Sequence, residues 1–395
     1  MLPSLHGGGA ERVAVHILNH ADPERFDVRM GLLRKSGPYV AEIDDARVLT
    51  ARYGRRFLDF DGENSKNFNP VKLALGAALV PLNIRSIVAR FRPDVVLSFM
   101  KGTNLATYAA LRAMGRRRPA WIAREGNNAL AVIDDEVSNR LGRAFMKRFV
   151  GRMYRASDCF LTISQGLGAD LQRKLGVDPG KCRTIYNSID TQTIRVRSLE
   201  EPRQAVDRPF IVTAGRLEYQ KGHDALIRSF ARSAESAGLD LLILGEGSRL
   251  AELQALARLC GVGDRVRFLS FDPNPWAYFA RARLFVLPSR WEGFANVVPE
   301  AMAAGAPVLV TECDYGPREI VEHGVSGWVT PVDDEDRMVE ALDLLLSDRA
   351  LAGRLARAGG ERAKAFDIGA VVASYAALFL EVSGRRAEAA APATD

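Results

Sequence analysis

Two glutamates eight positions apart, Glu292 and Glu300, bracket a glycine-bearing stretch that reads Pro288-Ser289-Arg290-Trp291-Glu292-Gly293-Phe294-Ala295-Asn296-Val297-Val298-Pro299-Glu300-Ala301-Met302. The apolar run Leu284–Leu287 precedes it and helical periodicity follows. Glu292 is therefore expected in a loop at a strand's end, and Glu300 about one turn into a helix. Gly293 lets a ligand come close to the backbone. The first N–H groups of a helix have no intrahelical partner and point toward negative charge. A hydroxyl-binding carboxylate at each end, with an amide cradle between, suits a sugar joined to a phosphate. The same residues also fit an ordinary charged helix start, with Glu300 only complementing the dipole.

A second group strengthens the first interpretation. Gly215-Arg216-Leu217-Glu218-Tyr219-Gln220-Lys221-Gly222 follows the apolar run Phe210–Ala214. From one strand-to-helix loop, Arg216 offers a planar fork to phosphate oxygens and Lys221 a mobile point charge. Two unrelated surface cations are the plainer alternative. Gly245-Glu246-Gly247 ends the next apolar run, Asp240–Leu244. In doubly wound sheets ligands bind at the carboxyl ends of strands, so three such loops make one wall of a site. Near the start, Gly7-Gly8-Gly9 opens a helix beginning near Ala10, whose N–H groups suit a phosphate. A plain turn explains a glycine triplet equally well.

The elements behind these loops alternate between short β-branched runs and longer helical patterns, which predicts an α/β protein built from parallel βαβ units. Strands are expected at Phe26–Leu33, Asp94–Phe99, Ala120–Ala123, Asp158–Ile163 and Arg183–Tyr186, then at Phe210–Ala214, Asp240–Leu244, Val266–Leu269, Leu284–Leu287 and Pro307–Val310. The polar segment Asp190–Arg208 is expected to be a linker. It divides an N-terminal domain, 1–190, from a C-terminal domain, 209–366, and an apolar helix over 367–384 is expected to pack back on the first. Beyond Gly384 the small, polar tail is expected to fray. Only six residues precede the glycine triplet. The opening strand is thus either very short, Leu2 to Leu5 at most, or truncated, and truncation is the preferred reading.

The 395 residues are too many for one ordinary domain, and 47% hydrophobic with 26% charged is ordinary for a globular protein. No uninterrupted apolar run reaches the ~20 residues of a membrane span, and no secretory signal pattern opens the chain. Cys159, Cys182, Cys260 and Cys313 are widely separated, without metal-ligand spacing, and read as reduced thiols of a cytoplasmic protein. Residues 1–200 hold 32 Lys and Arg against 20 Asp and Glu, while 201–395 hold 22 against 28. A basic first half suits an anionic acceptor or membrane surface, or is simply a solvated basic face. Over Val137–Ala156, Leu141, Phe145 and Phe149 recur at helical spacing among Arg140, Arg143, Lys147, Arg148, Arg152 and Arg155. That stripe either faces the core or lies on anionic lipid at the inner face of the cytoplasmic membrane. Asp134-Asp135 and Asp333-Asp334 read as helix-start and loop acids, so no metal-binding carboxylate pair stands at a strand end.

With these motifs together, the chain resembles the large family of retaining GT-B glycosyltransferases that includes sucrose synthase and many bacterial mannosyl- and N-acetylhexosaminyltransferases. The likeness covers nearly the whole chain and is most specific from Pro209 to Pro331. Gly8-Gly9-Ala10-Glu11-Arg12-Val13, Asn274-Pro275-Trp276 and Cys313-Asp314-Tyr315-Gly316-Pro317-Arg318-Glu319-Ile320 are similar to members that build capsule, exopolysaccharide, lipopolysaccharide or lipid-linked oligosaccharides. The resemblance implies two Rossmann-like doubly wound domains facing a cleft. It implies sugar transfer from a nucleotide sugar, with UDP preferred, to a glycan or polyprenyl-linked acceptor. It implies no metal, no cofactor and no nucleic-acid partner. Arg216 and Lys221 would hold the donor diphosphate, and Glu292 the sugar hydroxyls. Glu300 would hold the ribose, and the backbone of Gly293, Phe294, Ala295 and Asn296 would touch sugar and phosphate. The base would lie near Gly245 and Leu269–Ser270, with Gly8 and Gly9 at the phosphate.

One departure stands out. Many members carry a His near the reacting carbon, where this chain reads Ala123-Arg124-Glu125-Gly126-Asn127-Asn128. Arg124 and Glu125 are therefore expected to line the acceptor side, with Glu125 catalytic; a loop ion pair is the alternative. A GT-B phosphorylase and a non-catalytic glycan-binding relative are the competing functions.

Overall fold

The computed structural model describes residues 1–6, 8–53 and 70–390, without the side chains of 70–77, 131–132, 135–136 and 385–390. Gly7, the side chain of Asp135 and the tail after 390 thus lie outside the described residues. The chain divides into two units, Met1–Ser188 with Val371–Asp395, and Ile189–Ala370.

In the first unit, β1 (Met30–Leu32) pairs in parallel with β2 (Val48–Thr50). A separate parallel sheet runs β3 (Val95–Phe99), β4 (Ala120–Glu125), β5 (Cys159–Thr162), β6 (Cys182–Thr184) in spatial order. Strand β4 is buried throughout because helices cover both faces of a parallel sheet, and its first four residues, Ala120–Ala123, are accordingly apolar. The helix Ile368–Ala390 closes this unit: Tyr375 is fully buried in it, and Glu381 pairs with Arg183 at 2.6 Å.

The second unit holds one six-stranded parallel sheet. Its strands are β7 (Phe210–Ala214), β8 (Asp240–Leu244), β9 (Val266–Leu269), β10 (Leu284–Leu287), β11 (Val308–Thr311) and β12 (Trp328–Thr330). The spatial order is β12-β11-β10-β7-β8-β9. From β7 the chain winds outward through β8 and β9. It then returns to lay β10 against the other side of β7 and winds outward again. The order reverses between β7 and β10, the kind of position at which doubly wound sheets bind ligands. Ile211, Leu241, Ile243, Leu284, Val286 and Leu309 from the sheet form the core with Leu226, Phe230 and Leu342 from the helices.

Several segments depart from the sequence reading, and of the strand expected over Phe26–Leu33 only Met30–Leu32 forms. Val48–Thr50 and Trp328–Thr330 are three-residue edge strands, too short to show periodicity. Thr191–Arg197, expected as linker, is a helix capped by Asp190, and 189–208 belongs to the second unit. Arg349–Ala363 is a helix whose apolar positions are mostly alanine and glycine, so its buried face carries little hydrophobic signal. At the N-terminus, Leu2 makes only an isolated parallel bridge to Leu32.

Candidate active site

The loops after β7 and β10 bring together residues 71 apart in sequence. Lys221 Nζ donates to Glu292 Oε1 at 2.5 Å, and Ser289 Oγ donates to the same oxygen at 2.7 Å. The pair is 15% and 7% exposed. Gly222 follows Lys221 with φ +64, and a Cβ there would overlap the Pro288 carbonyl, so this glycine lets the two loops touch. Gly245 does the same between neighbouring loops, its backbone lying against the Gly215 carbonyl.

Arg216 is exposed on this edge, with an Nη donating to Gln220 Oε1 at 3.2 Å. Gln220 in turn donates to the Trp291 carbonyl at 2.8 Å. Glu300 is buried and accepts from Trp276 Nε1 at 3.2 Å, while the Arg197 guanidinium covers the same indole. Phe294 is buried edge-to-face on Phe366. Ala295 holds φ +68, a conformation that costs a non-glycine residue energy and that is found most often at functional sites. It lies just before the helix Val297–Ala303, whose first residue is not capped by the Asn296 side chain.

Sequence reasoning overlooked the brace beneath these loops. Arg290 donates to both carboxylate oxygens of Asp224, at 3.0 and 2.9 Å, and to Asp333 at 3.0 Å. It also donates to the Tyr219 carbonyl at 2.7 Å and lies 3.9 Å from the centre of that residue's ring. Burial alone would push the Asp224 carboxyl up. The Arg290 hydrogen bonds and charge, with Arg249 behind, outweigh burial and hold it at about 2. His223, beside Lys221, is buried. Burial first, then the Lys221 charge, brings its pKa down to about 4, which keeps the ring neutral beside the cation. No spacing signals these contacts, because each joins residues from different loops.

In the first unit the expectations need correction. Arg124 is 1% exposed; its guanidinium donates to Tyr375 Oη at 2.9 Å and to Asn187 Oδ1, and lies over the Phe99 ring. It is a strut enclosed by its own unit, not a surface lining an acceptor. Glu125 is buried next to it, accepting from the N–H groups of Gly126 at 3.0 Å and Asn127 at 3.2 Å and from the Tyr154 hydroxyl. Burial raises its pKa, with the Tyr154 hydrogen bond opposing. The alternative of an Arg124–Glu125 ion pair does not form either, since each side chain is engaged elsewhere. Gly8 caps the helix Gly9–His20, but the Glu11 carboxylate packs against Gly8, so a phosphate there would meet a like charge. Of the acid pairs, Asp334 caps the helix Glu335–Ser347 and Asp134 pairs with Lys147.

The basic helix extends over Arg140–Arg155. Its second half faces the core through Val150, Met153 and Tyr154, whereas Leu141 is 85% and Phe145 68% exposed.

Two family models match successive parts of the chain: "Glycosyltransferase Family 4" matches residues 7–193, and "Glycosyl transferases group 1" matches residues 197–363. A curated relative from Campylobacter jejuni is 30% identical over 371 residues, covering 92% of this chain and 94% of its own length. It is named N-acetylgalactosamine-N,N'-diacetylbacillosaminyl-diphospho-undecaprenol 4-alpha-N-acetylgalactosaminyltransferase. The lipopolysaccharide core biosynthesis glycosyltransferase LpsE of Rhizobium meliloti is 26% identical over 90% of each chain. Among solved structures, the lipopolysaccharide outer core galactosyltransferase WaaB aligns with TM-score 0.72 at 19% identity, over 96% of this chain and 100% of its own. HepE of Anabaena, solved with UDP, aligns with TM-score 0.73 at 19% identity, over 96% and 99%. These alignments show the GT-B fold.

Proposed function

From its membership of the group 1 and family 4 glycosyltransferases, we propose that this enzyme moves a sugar from a UDP-sugar, with retention of configuration, to a glycan or polyprenyl-linked acceptor in bacterial surface polysaccharide synthesis. The observation that carries this reading is the Lys221–Glu292 contact at the reversal point of the second sheet. A cation for the leaving diphosphate and a carboxylate for the sugar share one spot there.

In this reading Lys221 and Arg216 bind the diphosphate and neutralise the charge that grows as the glycosidic bond breaks, so the chain itself supplies what a divalent ion supplies elsewhere. Glu292 orients the sugar hydroxyls, and Ser289 fixes the carboxylate. Glu300, held by Trp276, takes the ribose hydroxyls. The backbone from Gly293 to Asn296 follows sugar and phosphate, and the base lies near Gly245 and Leu269–Ser270. The acceptor hydroxyl attacks on the face from which the nucleotide leaves, and most of the rate enhancement is positioning and electrostatics. Arg124 and Glu125 act as positioning residues that set the loop after β4. The test is a thermal-shift screen of nucleotide sugars, then turnover with lipid-linked acceptors, with and without free phosphate. A UDP-sugar should raise Tm and be consumed only when acceptor is present. A requirement for phosphate would instead indicate a phosphorylase, and stabilisation without turnover a binding protein.

The acceptor class predicts a membrane surface. Among the described residues no helix is long and apolar enough to cross a bilayer. Leu141 and Phe145, exposed among Arg140, Arg143, Lys147 and Arg148, suit shallow insertion beside anionic headgroups. The protein should float with vesicles containing anionic lipid, release in high salt, and lose binding in a Leu141→Ser/Phe145→Ser variant. Flotation indifferent to lipid charge removes this part of the reading.

A further inference from the structure

The segment 190–208, polar enough to read as a linker, is stitched onto the helix Trp276–Phe279. Asn274 Nδ2 donates to the Arg197 carbonyl at 2.9 Å and to Glu200 Oε2 at 2.8 Å. Arg281 donates to the Ser198 carbonyl at 3.1 Å, and the Gln204 N–H donates to the Tyr278 hydroxyl at 3.0 Å. The Arg197 side chain itself donates to the Pro273 carbonyl at 3.3 Å. These bonds hold its guanidinium on the Trp276 ring, 5.3 Å from the centre.

Trp276 is 8% exposed and Glu300 6%. A carboxylate so enclosed needs donors, and Trp276 Nε1–H supplies one to Oε2 at 3.2 Å. Phenylalanine would fill the same space; what tryptophan adds is a group that can only donate. The bond is charge-assisted, and it joins the helix Trp276–Phe279 to the helix Val297–Ala303. The Arg197 cation is attracted to the face of the indole, which fixes both groups. The indole N–H is therefore a stationary donor: it sets the plane of the Glu300 carboxylate instead of following it.

We propose that Trp276 and Arg197 are positioning residues for the ribose of the donor. The indole N–H holds the Glu300 carboxylate in the orientation that accepts from the ribose hydroxyls, and Arg197 holds the indole. Neither residue touches the nucleotide; both act through Glu300. A segment without any binding motif thus contributes to nucleotide selectivity. The inference rests on the ribose role given to Glu300 under the proposed function, and it extends that role to two residues outside the Glu292–Glu300 stretch. A purely structural role predicts a different outcome: Trp276 would then matter for packing alone, and its loss would not distinguish one nucleotide from another.

The test is calorimetry on the full-length protein with UDP and with 2′,3′-dideoxy-UDP, which lacks both hydroxyls. The parent should prefer UDP by on the order of 10- to 100-fold, the range for hydrogen bonds to a charged group. Trp276→Phe keeps the ring and removes the donor. It should weaken UDP by about 5- to 10-fold and leave dideoxy-UDP within about twofold. Arg197→Gln should act in the same direction by about threefold. In turnover, KM for the UDP-sugar should rise with kcat unchanged, as when binding common to substrate and transition state is lost. In a Glu300→Ala background the preference should vanish, and adding Trp276→Phe should leave the ratio of the two affinities where it is. Equal weakening of both nucleotides by Trp276→Phe, or a preference that survives it, would overturn the proposal and leave the ribose role of Glu300 standing. A parent that binds UDP no better than dideoxy-UDP would overturn both.

Discussion

Replacing Lys221 by alanine should lower kcat/KM by on the order of 10²–10³, the usual cost of removing one preorganised group that stabilises charge in a transition state. Lys221 is poised for this role: it is mostly enclosed, 2.5 Å from Glu292, and beside a His223 kept neutral by burial. The substitution also strands a nearly buried carboxylate, so part of any loss could come from stability. A Lys221→Ala/Glu292→Gln double variant separates the two effects. Removing the stranded charge should recover most of the lost Tm, while turnover stays down. The assignment fails if the double variant regains activity together with stability, or if Lys221→Ala turns over within about threefold of the parent.

The second large effect concerns stability. Arg290→Ala should cost about 3 kcal/mol, near the low end for breaking a buried ion pair, because Arg228 and Arg249 remain 3.4 Å from Asp224 and offset part of the loss. Urea unfolding at neutral pH measures it directly. The pH dependence gives an independent check. Asp224 is held at about 2, below its ordinary 3.8, so between those values the unfolded chain binds more protons than the folded one. The contribution is complete above about pH 4 and disappears as pH falls through about 2. Without Arg290 the acid limb of the stability curve should flatten across that window. A parallel acid limb in the variant would show that Arg290 does not govern Asp224. Loss of the brace should also loosen the Glu292 loop, because Arg290 is the link from that loop to Asp224 and the Tyr219 carbonyl.

How much of this was readable in advance follows from where the free energy lies. Phe210–Ala214, Asp240–Leu244 and Leu284–Leu287 are strands with the bounds the apolar runs suggested, because a central parallel strand is buried on both faces and carries an apolar run. Edge strands such as Trp328–Thr330 carry no such requirement and left no run. The Lys221–Glu292 meeting was foreseeable because both residues stand in loops that leave neighbouring strands. The Arg290–Asp224 brace was not: each residue reads as an ordinary surface charge until the fold sets 66 positions of sequence aside. Arg124 and Glu125 misled for the opposite reason. A charged pair at a strand's end suggests a ligand, and only the partners Tyr375 and Asn187 reveal an internal strut.

Tyr375 belongs to a helix at the far end of the chain, yet it completes the interior of the first unit. The second unit is therefore an insert in the covalent order, entered at 188/189 and left at 370/371. Chimeras that exchange the second unit between relatives should transplant the whole cassette between those two junctions. A simple fusion at the midpoint would put a foreign terminal helix in place of the one whose Tyr375 accepts from Arg124.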